Sequence, residues 1–479
     1  MWVAWTVPAV WLLLAVIDRV VKRKGRQRYR LFLERYGLSV SLGRIQFYTN
    51  RVNHLLVRFS DFFPRRWLQA WFTVGVVIGL VLIPLSVGVL VFTLRSFIVS
   101  SDEEARDPLL VPVLPGVNLP WSQLVYFLVT IAVSGVLHEL GHAVAAVSEN
   151  VHIDGVGLFF FVMYPGAFVD LHTQHVTTLN SIQKLRIFCA GVWHNVIIVF
   201  VCLLALYCLP WILFPLFTST QGAVVNGISK NSPVYNNLVV GSVILSVDGQ
   251  SVHSKADWMA LLSKISQHGF CANKSSLKRM YTRAVSLSLS GVVECCQNES
   301  LSDFCFHSSE PLWDTKKRYF CLNARKFTAG LHCKQTSDCL GKSVCLHPSL
   351  DSESRLFRIS HVGSKDVIFV GHPMLLHQTI SLTDYRPRIN LFAFYRLPGV
   401  TETFLLYLIS MSSALAILNS VPVYYLDGQW IFSAAVDTFF KDWSEEIRTK
   451  LTSGILMIGT VLLVLNVILG LTAVLNVNT

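Results

Sequence analysis

The chain has 479 residues, of which 52% are apolar and only 14% are charged, against about 25% in ordinary soluble domains. The 40 Lys and Arg residues exceed the 29 Asp and Glu residues, giving a formal net charge of +11. This composition excludes an intrinsically disordered chain, and basic residues gathered beside long uncharged runs argue against a nucleic-acid partner. We therefore expect much of the chain to lie in a lipid bilayer.

Six apolar segments are long enough to cross a membrane, because about 20 helical residues span the hydrocarbon core. They are residues 2–17, 68–94, 121–147, 187–217, 404–423 and 456–475. The first is interpreted as a retained anchor and not a cleaved signal, since no basic stretch precedes it and no clear cleavage site follows it. The sequence thus predicts a polytopic α-helical membrane protein with about six spans. An amphipathic or re-entrant first segment would invert only the N-terminal side.

Charged residues beside the spans predict their orientation. Residues 22–66 are rich in Lys and Arg and are expected in the cytosol, whereas the acidic loop 102–107 is expected in the lumen. Six spans then place residues 218–400 in the lumen. That segment contains eight of the 11 cysteines without a C-x-x-C pair, which favours disulfides over a zinc site. It also contains candidate glycosylation acceptors at Asn273 and Asn298.

The third apolar segment contains a motif with metal-binding spacing, His138-Glu139-Leu140-Gly141-His142. Residues four apart share a helix face, so His138 and His142 can bind one zinc ion with Glu139 beside it as general base. Two histidines that are merely hydrogen-bonded on a polar helix face are the alternative. Because a charge at the bilayer centre costs about 2.5–3.5 kcal/mol, three ionisable residues in five positions favour a function.

A catalytic zinc site uses three protein ligands and leaves one position open for water. The candidate for the third ligand is Asp427, which follows the fifth apolar segment and lies between Pro422 and Gly428. An aspartate that caps a helix or turn at the membrane interface is the alternative explanation of Asp427 taken alone.

The HExxH motif, followed in a later span by Asn-x-x-Pro-x-x-x-Leu-Asp-Gly over residues 419–428, resembles the site-2 protease family of intramembrane zinc metalloproteases. The large Cys-rich lumenal segment is similar to that of the animal branch of this family. Residues 164–170 resemble that family's membrane-dipping hairpin, and residues 191–195 its Gly-x-x-x-Asn element. Gln429 stands where bacterial relatives often have a second glycine, which leaves the Asp427 ligand in place.

The resemblance implies one Zn²⁺ held by His138, His142 and Asp427, with Glu139 as general base. It also makes Asn195, and with less support His194, candidate donors to the oxyanion or the substrate. A hydrogen bond between helices is the alternative role of Asn195.

The resemblance further implies regulated intramembrane proteolysis. The substrates would be single-span, membrane-tethered transcription factors of the sterol-regulatory and unfolded-protein-response types, already cut on the lumenal side. Cleavage would release their cytosolic domains from a Golgi or endoplasmic-reticulum membrane. The HExxH motif lies in the later half of its span, which faces the cytosol in the predicted orientation, so the active site is expected towards the cytosol. A transporter and a non-catalytic membrane scaffold remain as alternatives. A transporter predicts internal repeats, which we do not find, and a scaffold gives no reason for Glu139 beside two histidines.

The predicted organisation has four parts. Residues 1–120 carry the N-terminal spans, 121–217 the catalytic spans, 218–399 the lumenal module and 400–479 the C-terminal spans. Short β-rich runs with glycine turns after residue 221 resemble a PDZ-like domain, with a Cys-rich insertion at about 268–350. Strands at 355–359 and 366–370 are expected to return to it. The resemblance implies that this module filters substrates by size, and a spacer is the alternative.

Overall fold

A computed structural model describes residues 2–24, 26–99, 112–277, 286–287, 292–296, 302–308, 319–363, 365–389 and 392–476. The acidic loop 102–107 and Asn298 lie outside these residues. The chain divides into two compact units. The first comprises Met1–Tyr207 and Glu402–Thr479, and the second is Cys208–Thr401.

The first unit is mainly helical. Its helices are α1 (Trp2–Lys24), α2 (Arg26–Tyr36), α3 (Asn53–Asp61), α4 (Arg65–Val99), α5 (Leu124–Ser148), α6 (Thr173–Thr178), α7 (Ser181–Phe188), α8 (Ala190–Tyr207), the later part of α14 (Phe392–Ser420), α15 (Asp427–Phe439) and α16 (Glu445–Asn476). Among the described residues, five helices are long and apolar enough to cross a membrane: α4, α5, α8, α14 and α16. These five overlap five of the six predicted spans. The predicted first span lies in α1, which is not among them, so its crossing of the membrane stays a prediction.

The fourth predicted span is shorter than expected. The apolar residues 187–217 predict one span, but α8 ends at Tyr207 and the five-residue α9 (Leu209–Leu213) follows it in the second unit. Pro210 lies in the first turn of α9, where a missing N–H is tolerated. In a continuous helix the same proline would remove a hydrogen bond and clash with the preceding turn, which explains the break.

An antiparallel sheet accompanies the helices of the first unit. Its order is β1 (Leu38–Ser41), β2 (Arg44–Thr49), β3 (Ile153–Phe161) and β4 (Tyr164–Leu171). Strands β3 and β4 form a hairpin in which Val156 pairs with Val169. Residues 164–170, expected to form a hairpin, are instead the second strand of a longer hairpin over residues 153–171. The depth of this hairpin in the membrane stays a prediction. Within the described residues β4 pairs only with β3, which leaves its other edge without a partner strand.

One sheet of the second unit combines strands from the beginning and from the end of Cys208–Thr401. Its main path is β16 (Val367–Gly371), β15 (Arg355–His361), β6 (Val243–Val247), β5 (Phe217–Ile228) and β17 (Ile380–Pro387), with β7 (Gln250–Ser251) beside β6. The expected return strands are thus present as β15 and β16. Helices α10 (Lys255–Lys264) and α13 (Pro373–Thr379) complete this part, and Trp258, Phe357 and Phe369 are fully buried in its core. The description of this part as PDZ-like stays a prediction.

Eight of the cysteines of the second unit lie around a separate sheet, whereas Cys208 precedes α9 and is free. Its order is β12 (Tyr319–Asn323), β11 (Asp303–Ser308), β14 (Ser343–Pro348), β8 (Gly269–Asn273) and β13 (His332–Cys333). The short elements α11 (Lys274–Leu277), β9 (Ser286–Leu287), β10 (Val293–Glu294) and α12 (Ala324–Phe327) accompany it. The predicted disulfides are present, and they pair Cys271–Cys339, Cys295–Cys305, Cys296–Cys321 and Cys333–Cys345.

Candidate metal centre

Two histidines of α5 lie side by side within the first unit. His138 and His142 are one helical turn apart, and their Nε2 atoms are separated by 3.2 Å. Both residues are buried, with exposed fractions of 4% and 8%. Because residues four apart share a helix face, this arrangement follows from the local sequence once the helix forms.

Asp427 reaches the same point from a later part of the chain. It is the first residue of α15, and its Oδ2 lies 2.7 Å from Nε2 of His138 and 3.2 Å from Nε2 of His142. Helix α14 ends at Ser420, since Pro422 lacks the N–H that a further turn needs. The reversal of the chain then requires Gly428, because a Cβ at that position would overlap the carbonyl oxygen of Val421.

The three ligand atoms fit a zinc ion. Zinc binds imidazole nitrogen and carboxylate oxygen at about 2.0–2.2 Å in tetrahedral sites, which places neighbouring ligand atoms about 3.3 Å apart. The observed separations are 3.2, 3.2 and 2.7 Å, so small movements would accommodate the ion. His138, His142 and Asp427 thus form a group that can hold a metal.

Gly191 of α8 keeps the space beside these ligand atoms open. A Cβ at this position would overlap Nε2 of His142 and lie 2.5 Å from Nε2 of His138. Such an atom would occupy the space between the two nitrogens that could bind a metal. Glycine is the residue type that leaves space between the two Nε2 atoms. Its presence here therefore supports a metal site, as the three donor atoms do.

The second nitrogen of each imidazole also has a neighbour. Nδ1 of His142 lies 2.8 Å from the carbonyl oxygen of Ile187, and Nδ1 of His138 lies 2.9 Å from Nδ2 of Asn195. A carbonyl oxygen can only accept, so His142 donates through Nδ1 and keeps Nε2 free for a metal. Such partners fix the orientation and tautomer of metal-binding histidines.

An ion pair holds the segment that supplies the Ile187 carbonyl. Nη1 of Arg186 lies 2.8 Å from Oε1 of Glu149, which follows directly after α5 and is 3% exposed. Nε of Arg186 also donates to the Thr73 hydroxyl of α4 at 3.0 Å. The residue before Ile187 is therefore fixed to both α5 and α4.

Glu139 faces a different neighbour from the adjacent histidine. Its Oε2 accepts a hydrogen bond from the backbone N–H of Val169 in β4 at 3.0 Å. Consecutive residues of an α-helix are rotated by about 100° from each other, so the side chain of Glu139 leaves α5 in a different direction from that of His138, although the two residues are adjacent. The N–H of Val169 is directed away from β3, and the carboxylate is thus placed at the outer edge of β4.

The other predicted residues lie as follows. Nδ1 of His194 bonds with the carbonyl oxygen of Leu137 at 3.0 Å, and its ring stacks on Phe72 of α4 with centroids 5.9 Å apart. His194 thus bridges three helices, and its role as a donor to the substrate stays a prediction. Asn195 is fully buried beside His138. Asn273 is exposed at the end of β8 in the second unit and takes no part in this site.

Some contacts of the site are not found by sequence reasoning. The carbonyl of Ile187 and the N–H of Val169 are backbone groups, which carry no residue-type signal. Nδ2 of Asn419 lies 3.4 Å from Nε2 of His138, a contact that the position of Asn419 at the start of a sequence motif does not predict. Gly191 belongs to the Gly-x-x-x-Asn element of the sequence, and its spatial role follows only from the packing of α8 against α5.

Comparisons with known proteins agree with this geometry. The model of Peptidase family M50 matches residues 126–466, more than two thirds of the chain, and this range includes all three candidate ligands. The chain is also 28% identical over 446 residues to the membrane-bound transcription factor site-2 protease homolog of Arabidopsis thaliana. That similarity covers 83% of this chain and 85% of the plant protein.

Proposed function

Because the chain belongs to peptidase family M50 and is a membrane-embedded metalloprotease of the site-2 type, we propose that it cuts single-span, membrane-tethered transcription factors within or next to their transmembrane segments. The observation that carries this proposal is the convergence of His138, His142 and Asp427 on one point beside Glu139. We propose sterol-regulatory and unfolded-protein-response factors as the substrates, already shortened by a first lumenal cut.

The chemistry divides between a metal and one carboxylate. A zinc ion held by His138, His142 and Asp427 would lower the pKa of its water from about 15.7 to about 7 and polarise the scissile carbonyl. Glu139 accepts the proton of the attacking water and returns it to the leaving amine nitrogen. The hydrogen bond from Val169 orients the carboxylate for both transfers.

The outer edge of β4 offers a place for the substrate backbone. A helical transmembrane segment hides its carbonyl groups in hydrogen bonds within the helix, so the segment must unwind before hydrolysis. An unwound segment can add to an unpaired strand edge through main-chain hydrogen bonds. Since Val169 of that edge contacts Glu139, a strand added here brings its peptide bonds to the proposed base.

The expected order of cleavage tests the proposal. A substrate with a large folded lumenal domain should resist the purified protease in proteoliposomes, and the same substrate trimmed to a short stub should be cut, if the lumenal module acts as a steric filter. The measurement is the rate of product release from both substrates. If neither the long substrate nor the stub is cut, the proposed function is contradicted. If both substrates are cut equally fast, the lumenal module is a spacer and not a filter, and the proposed protease function is unaffected.

Loosening the lumenal module should relax this length requirement. Ile244→Asp places a charge at a fully buried position of β6, where an unpaired ion is costly, whereas Leu245→Asp on the same strand is a matched control because Leu245 is 43% exposed. We expect the Ile244 variant to cut the long substrate faster, with zinc content unchanged in both variants. Identical length dependence in the two variants would argue against a filter.

The proposed orientation places the second unit in the lumen of the Golgi or endoplasmic reticulum. Asn273 begins an Asn-Lys-Ser acceptor and is exposed, so it should carry a glycan. Glycosidase treatment should increase the mobility of the wild-type protein, and the Asn273→Gln, Asn298→Gln double variant should show no shift. The proposed topology would be contradicted if neither site carries a glycan and thiol reagents applied from the cytosol readily label the eight cysteines between Cys271 and Cys345.

A further inference from the structure

We propose that Asn195 is a positioning residue that holds the imidazole of His138 for zinc, and is not a donor to the substrate. The inference rests on the proposed zinc site. Its support comes from three observations: the contact with His138, the burial of the amide, and the equivalent contact made by His142.

The contact places Asn195 on the side of the ring that does not meet the metal. Its amide lies 2.9 Å from Nδ1 of His138, whereas a second candidate ligand atom, Oδ2 of Asp427, lies 2.7 Å from Nε2 of the same ring. Asn195 is 0% exposed and lies one helical turn after Gly191 on α8. The side chain is therefore enclosed and already engaged with a metal ligand.

His142 shows the same arrangement with an unambiguous partner. The carbonyl oxygen of Ile187 can only accept, so it requires a proton on Nδ1 of His142 and leaves Nε2 for the metal. If His138 also binds zinc through Nε2, its Nδ1 carries a proton and needs an acceptor. The Oδ1 of Asn195 is the acceptor that the neighbouring residue can offer.

The state of the Asn195 amide fits this assignment. With Nδ2 next to Nδ1 of His138, Oδ1 of Asn195 is buried and has no hydrogen-bond partner. A rotation of the amide group by 180° exchanges Nδ2 and Oδ1 of Asn195, so that Oδ1 accepts a hydrogen bond from Nδ1 of His138. One short segment, from Ile187 to Asn195, then orients both imidazoles and also supplies Gly191, which keeps the space between them open.

Two substitutions separate the positioning role from a donor role. Asn195→Leu has a similar size and offers no hydrogen bond. Asn195→Asp keeps an oxygen that accepts from Nδ1 and loses the amide N–H groups that a substrate donor would need. Asn466→Leu is a matched control, because Asn466 is also a buried asparagine of a spanning helix and bonds the Leu90 carbonyl of α4 at 3.2 Å.

The experiment measures zinc affinity of the full-length protein in detergent by competition with a chromophoric chelator, and the absorption spectrum of the Co²⁺-substituted protein. A metal-binding histidine donates its other ring N–H to a hydrogen-bond partner, and loss of that partner weakens metal affinity by about 10- to 100-fold. We expect this effect for Asn195→Leu. Asn195→Asp should bind zinc at least as tightly as wild type. The Asn466→Leu variant should match wild type in affinity and spectrum.

Three results would overturn the inference. Unchanged zinc affinity in Asn195→Leu with reduced cleavage would identify Asn195 as a donor to the substrate. Equal weakening in the Leu and Asp variants would show that no acceptor is needed at Nδ1, and equal weakening in Asn466→Leu would show a general loss of stability. A wild-type protein that binds no zinc would instead contradict the proposed function, so the two failures are distinguishable.

Discussion

Replacing Glu139 by Gln should abolish proteolysis while the protein keeps its zinc. The amide is close in shape to the carboxylate and its oxygen can still accept from Val169, so the contact with β4 and the fold are preserved. It cannot take a proton from water, and loss of general acid–base catalysis costs about 10²- to 10⁴-fold in rate. Asp427→Ala is the matched comparison, because it should remove both zinc and activity.

The two variants are distinguished by measuring zinc content and cleavage rate on the same purified samples. Asp427 is proposed to supply one of three ligand atoms, and its Oδ2 lies within 3.2 Å of both histidine nitrogens. Its removal therefore leaves two ligands, which is fewer than a catalytic zinc site uses. Undiminished cleavage in Glu139→Gln would rule out the assigned mechanism. Zinc loss there, with normal zinc in Asp427→Ala, would mean that the two roles are exchanged.

Gly191→Ala should remove the zinc site without any change to a ligand. The added methyl group would overlap Nε2 of His142 and lie 2.5 Å from Nε2 of His138, where the metal must enter. We expect zinc content close to that of Asp427→Ala and no measurable cleavage. The outcome is checked by metal analysis and by the cleavage assay.

Gly135→Ala is the control for this substitution. Gly135 lies on α5, the same helix as the two histidines, and a Cβ there would meet nothing within 4 Å. Ala is favoured over Gly by about 1 kcal/mol in a helix interior, so this variant should fold at least as well as wild type and keep its zinc. Full zinc occupancy in Gly191→Ala would show that the ion is not held at the two Nε2 atoms.

Features that depend on local periodicity and on residue type can be predicted from the amino-acid sequence. Apolar stretches of about 20 residues predicted the helices that the structure confirms as candidate spans, with α1 as the exception. The four-residue spacing of His138 and His142 fixed their common helix face, because a helix brings such residues together whatever its surroundings. The even number of cysteines in one polar segment predicted disulfides, although their pairing could not be read from spacing.

The surroundings of the two histidines depend on packing between segments that are distant in the sequence. Asp427 lies 289 residues after His138 in the sequence, and its contact depends on how α15 begins after the break at Pro422. The partners of the two Nδ1 atoms depend on the close approach of α8 and the end of α7 to α5, and one of these partners is a backbone carbonyl. Backbone groups are identical at every residue, and open space has no sequence signal. Packing alone therefore selects Ile187 and Val169 as partners and makes Gly191 the residue that leaves room for a metal.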